Sequence, residues 1–365
     1  MAKKPAKPLR RIRLSFRSAD ELAQTDDPVR SDLSALALLD DTLWVANDEL
    51  ATVERLRRTD SGYGQHQPFH LSDYFELPGG PADEMDIEGL EIDGGYLWVL
   101  GSHSLTREKP EPGSRDRAES LRRLTEVERH PNRHFLGRIP IVGRAGTCTL
   151  ERTVASGEGK LRAACLNADR KRGKLGRRLL KNDQHVGRFV QVPAKENGFD
   201  LEGIAVRGSR VFVGLRGPVL RGWSVLIELD VKERKAGRLR PRRIGPNDER
   251  YRKHFLDLGG LGIRDLCFDA DRLLILAGPS MDLDGPVRVL AWPGCLAAGQ
   301  QLIVTADELE SVLELPYRRG GDHAEGIALL GRRNGRSELL AVYDSPAKGR
   351  LHDNGTGIDA DVFAL

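Results

Sequence analysis

The sequence is poor in cysteine. Its four cysteines, Cys148, Cys165, Cys267 and Cys295, lie scattered through 365 residues with no C-x-x-C pair. That spacing excludes a disulfide framework and the common zinc patterns, and it fits reduced thiols in a cytoplasmic protein. Long apolar runs are missing too. No stretch approaches the roughly 18 uninterrupted apolar residues that span a bilayer. Met1 to Arg13 carries positive charge but no apolar segment of signal-peptide length, so neither a membrane partner nor secretion by that route is expected. The chain also has no Gly-rich phosphate loop and no G-x-S-x-G elbow, which leaves NTPase and serine-hydrolase chemistry without a positive signal.

What the sequence does have is charge, unevenly placed. The formal net charge is +3, yet residues 107–188 hold 21 Lys and Arg against 10 Asp and Glu, a net of +11. The remainder holds 36 against 44, a net of −8. The basic segment is therefore local, and the rest is acidic. Arg170 to Arg188 lacks the interleaved aromatics that nucleic-acid binding favours, so nucleic acid is not an expected partner. Residues 1–11 are basic and Pro-containing and read as a disordered tail. Residues 12–365 read as one domain, with a basic, partly helical insertion at about 106–190. Leu121, Leu124 and Val127 stand at helical spacing there.

The acidic part repeats itself. Asp200-Leu201-Glu202-Gly203-Ile204 has a near copy in Asp86-Ile87-Glu88-Gly89-Leu90 and a looser one in His323-Ala324-Glu325-Gly326-Ile327. Each copy is followed by a turn and a second apolar run. Asp32-Leu33-Ser34-Ala35-Leu36 and Gly262-Ile263-Arg264-Asp265-Leu266 share the layout without the Glu-Gly. Repeat starts at residues 32 and 86 are 54 apart, those at 200, 262 and 323 are 62 and 61 apart, and 114 residues separate 86 from 200. Units of about 40 to 60 residues built from short antiparallel strands signal an all-β fold of the β-propeller type. Five blades are the first expectation and six the alternative. The lone strand pattern at Ile12 to Phe16 and the terminal Val362-Phe363-Ala364 suggest ring closure, with early and late strands completing one blade.

In a propeller the first strand of each blade lines the central channel and the second returns antiparallel to it. The start of one and the end of the other then share a face. This gathers Asp86, Glu88, Asp200, Glu202, His323, Glu325 and Arg264 at one mouth of the channel. The second strands add Asp48, His103, Arg216 and Asp344, and the loop Asp282-Leu283-Asp284 joins them. Converging carboxylates repel unless compensated. Glu88, Glu202 and Glu325 are candidate ligands for a hard cation, Ca²⁺ or Mg²⁺, whereas Arg264 is an alternative compensating charge. In a bland reading the Glu-Gly is a structural seam, with Gly letting strands crowd the axis.

The segments Asp86-Ile87-Glu88-Gly89-Leu90, Lys195-Glu196-Asn197-Gly198-Phe199-Asp200-Leu201-Glu202-Gly203, Gly262-Ile263-Arg264-Asp265-Leu266 and Met281-Asp282-Leu283-Asp284-Gly285-Pro286 resemble an uncharacterised bacterial family, a domain of unknown function. The resemblance implies a propeller-like fold and no established activity. More distantly, the D-x-E-G strand start is similar to that of phytase-like esterase and gluconolactonase-type propellers, which implies a divalent metal on the axis. Two functions follow as expectations. One is a metal-assisted hydrolase of phosphate esters or lactones, with Arg264 and Arg216 clamping an anionic substrate, Asp48, Asp282 and Asp284 as further ligand contacts, and His103 or Asp344 as base. The other is a non-catalytic propeller that binds a small anion or a partner peptide.

Overall fold

The computed structural model describes residues 5–365 except 18–31, 111–115, 145, 158, 167, 170–171, 174, 176–179, 236, 282, 334 and 353–355. The fold is all-β and propeller-like, built from curled, mainly antiparallel sheets. Five sets of strands can be followed along the chain, four strands in each except the third, which has five. The first is Leu33–Leu39, Thr42–Asn47, Thr52–Thr59 and Gly62–His70, four consecutive strands. The second is Ile87–Asp93, Tyr96–Gly101, Leu136–Val142 and the two-residue Ala164–Cys165. The third runs from Asp200–Arg207 and Arg210–Gly217 to the long Trp223–Lys235, which pairs with Arg238–Pro241 at one end and Arg252–Asp257 at the other. The fourth is Gly262–Asp269, Arg272–Gly278, Val287–Trp292 and Glu310–Leu315. The fifth is His323–Arg333, Arg336–Asp344, Gly357–Ala364 and, from the other end of the chain, Arg10–Ser15.

The second strand of each set is a nearly continuous apolar run, as in Tyr96-Leu97-Trp98-Val99-Leu100. Such a run suits a strand covered on both faces, and both faces are covered here. Five hydrophobic clusters lie between successive sets. Trp44 and Val53 meet Ile87 and Val99, Trp98 and Leu100 meet Leu201 and Val213, and Phe212 and Leu226 meet Ile263 and Ile275. Leu274 and Leu276 then meet Ala324 and Tyr343, and Val342 and Val362 meet Leu36 and Val45. The first strands of the five sets touch in the same cyclic order, the fifth returning to the first.

The expected closure of the ring by early and late strands is present: Arg10–Ser15 pairs antiparallel with Gly357–Ala364 over six residue pairs. The strand begins two residues earlier than its apolar pattern indicates. Arg10 pairs with Glu338, and Arg11 with Asp361, so charges that suggested a solvated tail are held by carboxylates of the fifth set. The fourth strand of the second set is short. Thr149–Leu150 pairs only with the end of the third strand, Thr153–Ser156 forms a hairpin with Gly159–Arg162, and Ala164–Cys165 takes the edge.

The basic insertion divides in two around the Leu136–Val142 strand. Residues 102–135 carry the one α-helix of the described residues, Arg117–Arg123, capped by Asp116 and with no buried residue. Residues 166–199 lead into the third set, and there Leu175 and Leu180 are fully buried. Part of the Arg170–Arg188 stretch lies outside the described residues. Among the described residues no helix is long and apolar enough to cross a membrane.

Candidate ligand site at the channel mouth

The repeated string marks a bulge. In the first set Leu33 and Ala35 face Asn47 and Ala46, which leaves Ser34 as the extra residue. The same register shift leaves Glu88 extra between Ile87 and Gly89, Arg264 between Ile263 and Asp265, and Glu325 between Ala324 and Gly326. In the third set Glu202 and Gly203 together stand opposite Gly214. A bulge re-aims its unpaired side chain. Here it turns Ser34, Glu88, Glu202, Arg264 and Glu325, one from each first strand, toward the centre.

The glycine after each glutamate is a packing necessity. A Cβ on Gly203, where φ is +77°, would lie 2.6 Å from the Asp265 Cα of the next first strand. On Gly89 it would lie 2.9 Å from Ile204 Cγ2, and on Gly326 2.5 Å from Leu36 Cδ2. Side-chain bonds cross the same seams. Ser34 donates to the Ile87 carbonyl at 2.5 Å, and Asp265 accepts from the Ile327 N–H at 2.7 Å. The glycine half of the motif is thus structural, as the bland reading had it.

The glutamate half opens onto a cavity of about 680 Å³, within the range of small-molecule sites. Its floor includes Asp48, Asp86, Glu88, Asp200, Arg216, Arg264, Glu325 and Asp344, and Arg133 and Glu84 stand at its side. Two regimes of charge coexist on this floor. Glu202 is bound on both oxygens: Arg216 Nη1 donates to Oε1 at 3.0 Å and Arg264 Nε to Oε2 at 3.0 Å. Arg264 also pairs with Glu325, and Arg216 Nη1 lies 3.9 Å from Asp200. Arg133 likewise binds Asp86 at 2.9 Å, donates to Ser104 Oγ at 3.0 Å and pairs with Glu84.

Glu88 differs. It is 9% exposed, lines the cavity, and has no hydrogen-bond or ion-pair partner among the described residues. Burial, then the charges of Glu202, Asp86, Asp200 and Asp48, hold its carboxyl well above the usual range. Burial and the neighbouring Asp86, Asp32, Asp344 and Glu49 push Asp48 up to about 8, and its Oδ1 is buried without a hydrogen-bond partner. Asp200 is raised to about 7 by burial and Glu202, against the opposing pull of Arg216.

Of the residues anticipated from sequence, Asp48, Glu88, Arg216, Arg264, Glu325 and Asp344 come together around one cavity, with Glu202 directly beneath. Asp344 accepts from Ser345 Oγ at 3.0 Å. Asp284 is not among the lining residues; it accepts from the Gly320 N–H at 2.9 Å and lies 3.1 Å from His323 Nε2. Asp282 lies outside the described residues. His103 is not among the lining residues. Its ring is buried against His134, Nδ1 donates to the Gly101 carbonyl at 2.8 Å, and burial followed by His134 lowers its pKa to about 3. Arg133, Glu84 and Ser104 were not anticipated. Arg133 lies in the insertion and Ser104 at its start, while Glu84 lies just ahead of the second repeat, outside the repeated string.

A cation site built on Glu88, Glu202 and Glu325 does not fit these positions. Arginines occupy both oxygens of Glu202 and one of Glu325. Among the described residues no group of three or more His, Cys, Asp or Glu side chains is arranged to hold a metal ion. The compensation is by guanidinium, the alternative that Arg264 offers in the sequence.

Comparison with known proteins places the chain. The sequence model of a family described as protein of unknown function (DUF3616) matches residues 32–361. The chain belongs to DUF3616. In this DUF3616 protein the match runs from just before the first bulge strand to near the end of the closing strand. No curated protein matches the chain. Among solved structures it is similar to the glutaminyl cyclase of Myxococcus xanthus, at 10% identity and a TM-score of 0.38 over 98% of this chain and 100% of that one. It is also similar to the PQQ-bound aldose sugar dehydrogenase of Streptomyces coelicolor, at 12% identity and a TM-score of 0.35 over 98% and 100%.

Proposed function

We propose that the chain is a five-bladed propeller whose channel mouth binds a small polar molecule and hydrolyses it by acid–base chemistry. Glu88 is the proton donor in this reading. The observation that carries it is the single partnerless carboxyl among the three bulge glutamates, nine-tenths buried and facing the cavity. A carboxyl kept protonated near neutral pH can donate a proton to a leaving group, and a second, ionised carboxylate can activate water. Asp344, at the end of the fifth set's second strand, is the lining carboxylate best suited to that second role. Arg216 and Arg264 hold Glu202 in place and are not free to clamp an anion, so the phosphate-ester version is set aside. No step is routed through a metal, since the glutamates do not form its ligand set.

The test is a hydrolysis panel of lactones, carboxylic esters and glycosides, run on the full chain and on Glu88→Gln. General-acid roles contribute about 10²- to 10⁴-fold, so the variant is expected to lose at least a hundredfold in kcat while its melting temperature holds. A wild-type rate that Glu88→Gln leaves within twofold overturns the assignment. Binding that depends on Glu88 without turnover of any substrate would favour the non-catalytic binding propeller.

A further inference from the structure

The mouth is more than an acidic floor; its rim is apolar. Leu124, from the segment after the insertion helix, and Met281 and Leu283, from the loop between the second and third strands of the fourth set, all line the cavity. They remain 43%, 39% and 60% exposed. Leu105 and Val287 line it as well, both largely buried. Exposed large apolar side chains gathered on a cavity rim mark a contact surface for a ligand.

The floor beneath is short of cations in one sector. Arg133, Arg216 and Arg264 are each engaged by carboxylates: Arg133 by Glu84 and Asp86, Arg216 by Glu202, and Arg264 by Glu202 and Glu325. Among the described residues Asp48 and Glu88 line the cavity with no ion-pair partner, and the side-chain bond that Asp344 makes is to the Ser345 hydroxyl. Glu88 is the nine-tenths-buried, partnerless group aimed into the space. An anion over these three would meet carboxyl groups and, among the described residues, no guanidinium free of a carboxylate partner. The other lining cations, Arg107, Lys109 and Lys195, come from the two parts of the insertion, and Arg107 is paired with Glu196. A protonated nitrogen placed here would draw Glu88 and Asp48, which burial otherwise keeps protonated, into their ionised form and pair with them.

Resting on the reading of the mouth as a ligand site, we infer that its ligand carries a protonated amine or guanidinium next to an apolar segment. The nitrogen sits over Asp48, Glu88 and Asp344, and the apolar segment runs out between Leu124 on one side and Met281 and Leu283 on the other.

Calorimetric titration of the full chain at pH 7.5 with hexylammonium, hexan-1-ol and hexanoate tests the charge. Methylammonium tests the apolar segment. Hexylammonium is expected to bind at least tenfold more tightly than hexanol, and hexanoate not to bind. Glu88→Gln and Asp48→Asn should each weaken hexylammonium tenfold or more. Each methylene buried on the rim is worth about fourfold in affinity. A Leu124→Ser, Leu283→Ser double variant should therefore narrow the gap between hexylammonium and methylammonium while leaving methylammonium unchanged. Hexanol or hexanoate binding as tightly as hexylammonium overturns the inference. If that binding still depends on Glu88, the ligand-site reading survives and only the ligand class falls. Hexylammonium binding unchanged in both acid variants overturns the inference and the site together. Ca²⁺ binding that displaces hexylammonium and vanishes in Glu88→Gln would overturn the amine in favour of a metal ion.

Discussion

Glu88 and Glu202 stand at the same bulge of neighbouring sets, in nearly the same string of residues, and have opposite surroundings. Glu202 is 1% exposed and gripped by two guanidiniums, whereas Glu88 is 9% exposed and gripped by none. The difference comes from what the other strands contribute. The fourth set places Arg264 at its own bulge and the third ends its second strand in Arg216, so Glu202 lies between them. The first set places Ser34 at its bulge, and that hydroxyl is spent on the Ile87 carbonyl. One glutamate became part of the frame. Its copy was left facing the cavity.

The largest expected effect breaks the framed side. Glu202→Ala strands Arg216 and Arg264 as buried charges with a shared partner gone, and truncating one member of a buried ion pair costs about 3–5 kcal/mol. Chemical denaturation should show it as a large loss of midpoint at unchanged slope. A loss below 1 kcal/mol would mean that the two guanidiniums are not held as described.

Next comes pH. Asp48 and Glu91 are pushed up to about 8 and Asp200 to about 7, chiefly by burial, and Glu88 is raised as well. A carboxyl whose folded pKa exceeds its unfolded value holds more protons folded than unfolded. Its contribution is complete below about pH 4 and lost as pH rises through 7 to 8. Between the two pKa values each such group tilts stability by about 1.4 kcal/mol per pH unit. Melting temperature should therefore fall from pH 5 to pH 9, and Asp48→Asn should flatten that fall. A melting temperature that rises over this range would contradict the uncompensated sector.

The smallest effect sharpens the contrast. Burial holds Glu88 protonated at pH 6, so Glu88→Gln exchanges one neutral, unpaired side chain for another of the same shape and should stay within about 1 kcal/mol of the parent. If Glu88→Gln and Glu202→Ala cost the same, the two copies are both frame and the distinction fails.

Much of this was legible before the structure. The Asp-x-Glu-Gly string, with Arg264 and Ser34 in register, located the five bulge positions, because a bulge at a fixed strand position leaves a fixed spacing in sequence. The lone strand ahead of the first repeat announced the closure. Pairing was not legible. Glu88 and Glu202 look alike in sequence, and only the placement of Arg216 and Arg264 separates them. Arg133 and Glu84 had no repeat to reveal them. His103 sits among serines near the mouth, yet a positive φ of 57° and the packing of His134 bury its ring away from the cavity. Arg10 and Arg11 looked like tail because their carboxylate partners are more than 300 residues away along the chain.

The pairing of Arg10–Ser15 with Gly357–Ala364 has a consequence for how the protein comes into being. Arg10–Ser15 is completed by a strand that is translated only after all five repeats. Until then its edge, and that of the unfinished fifth sheet, are open to other strands, which is the exposure that favours aggregation. Synthesis of this fold thus carries a long vulnerable interval, ended by a single pairing step.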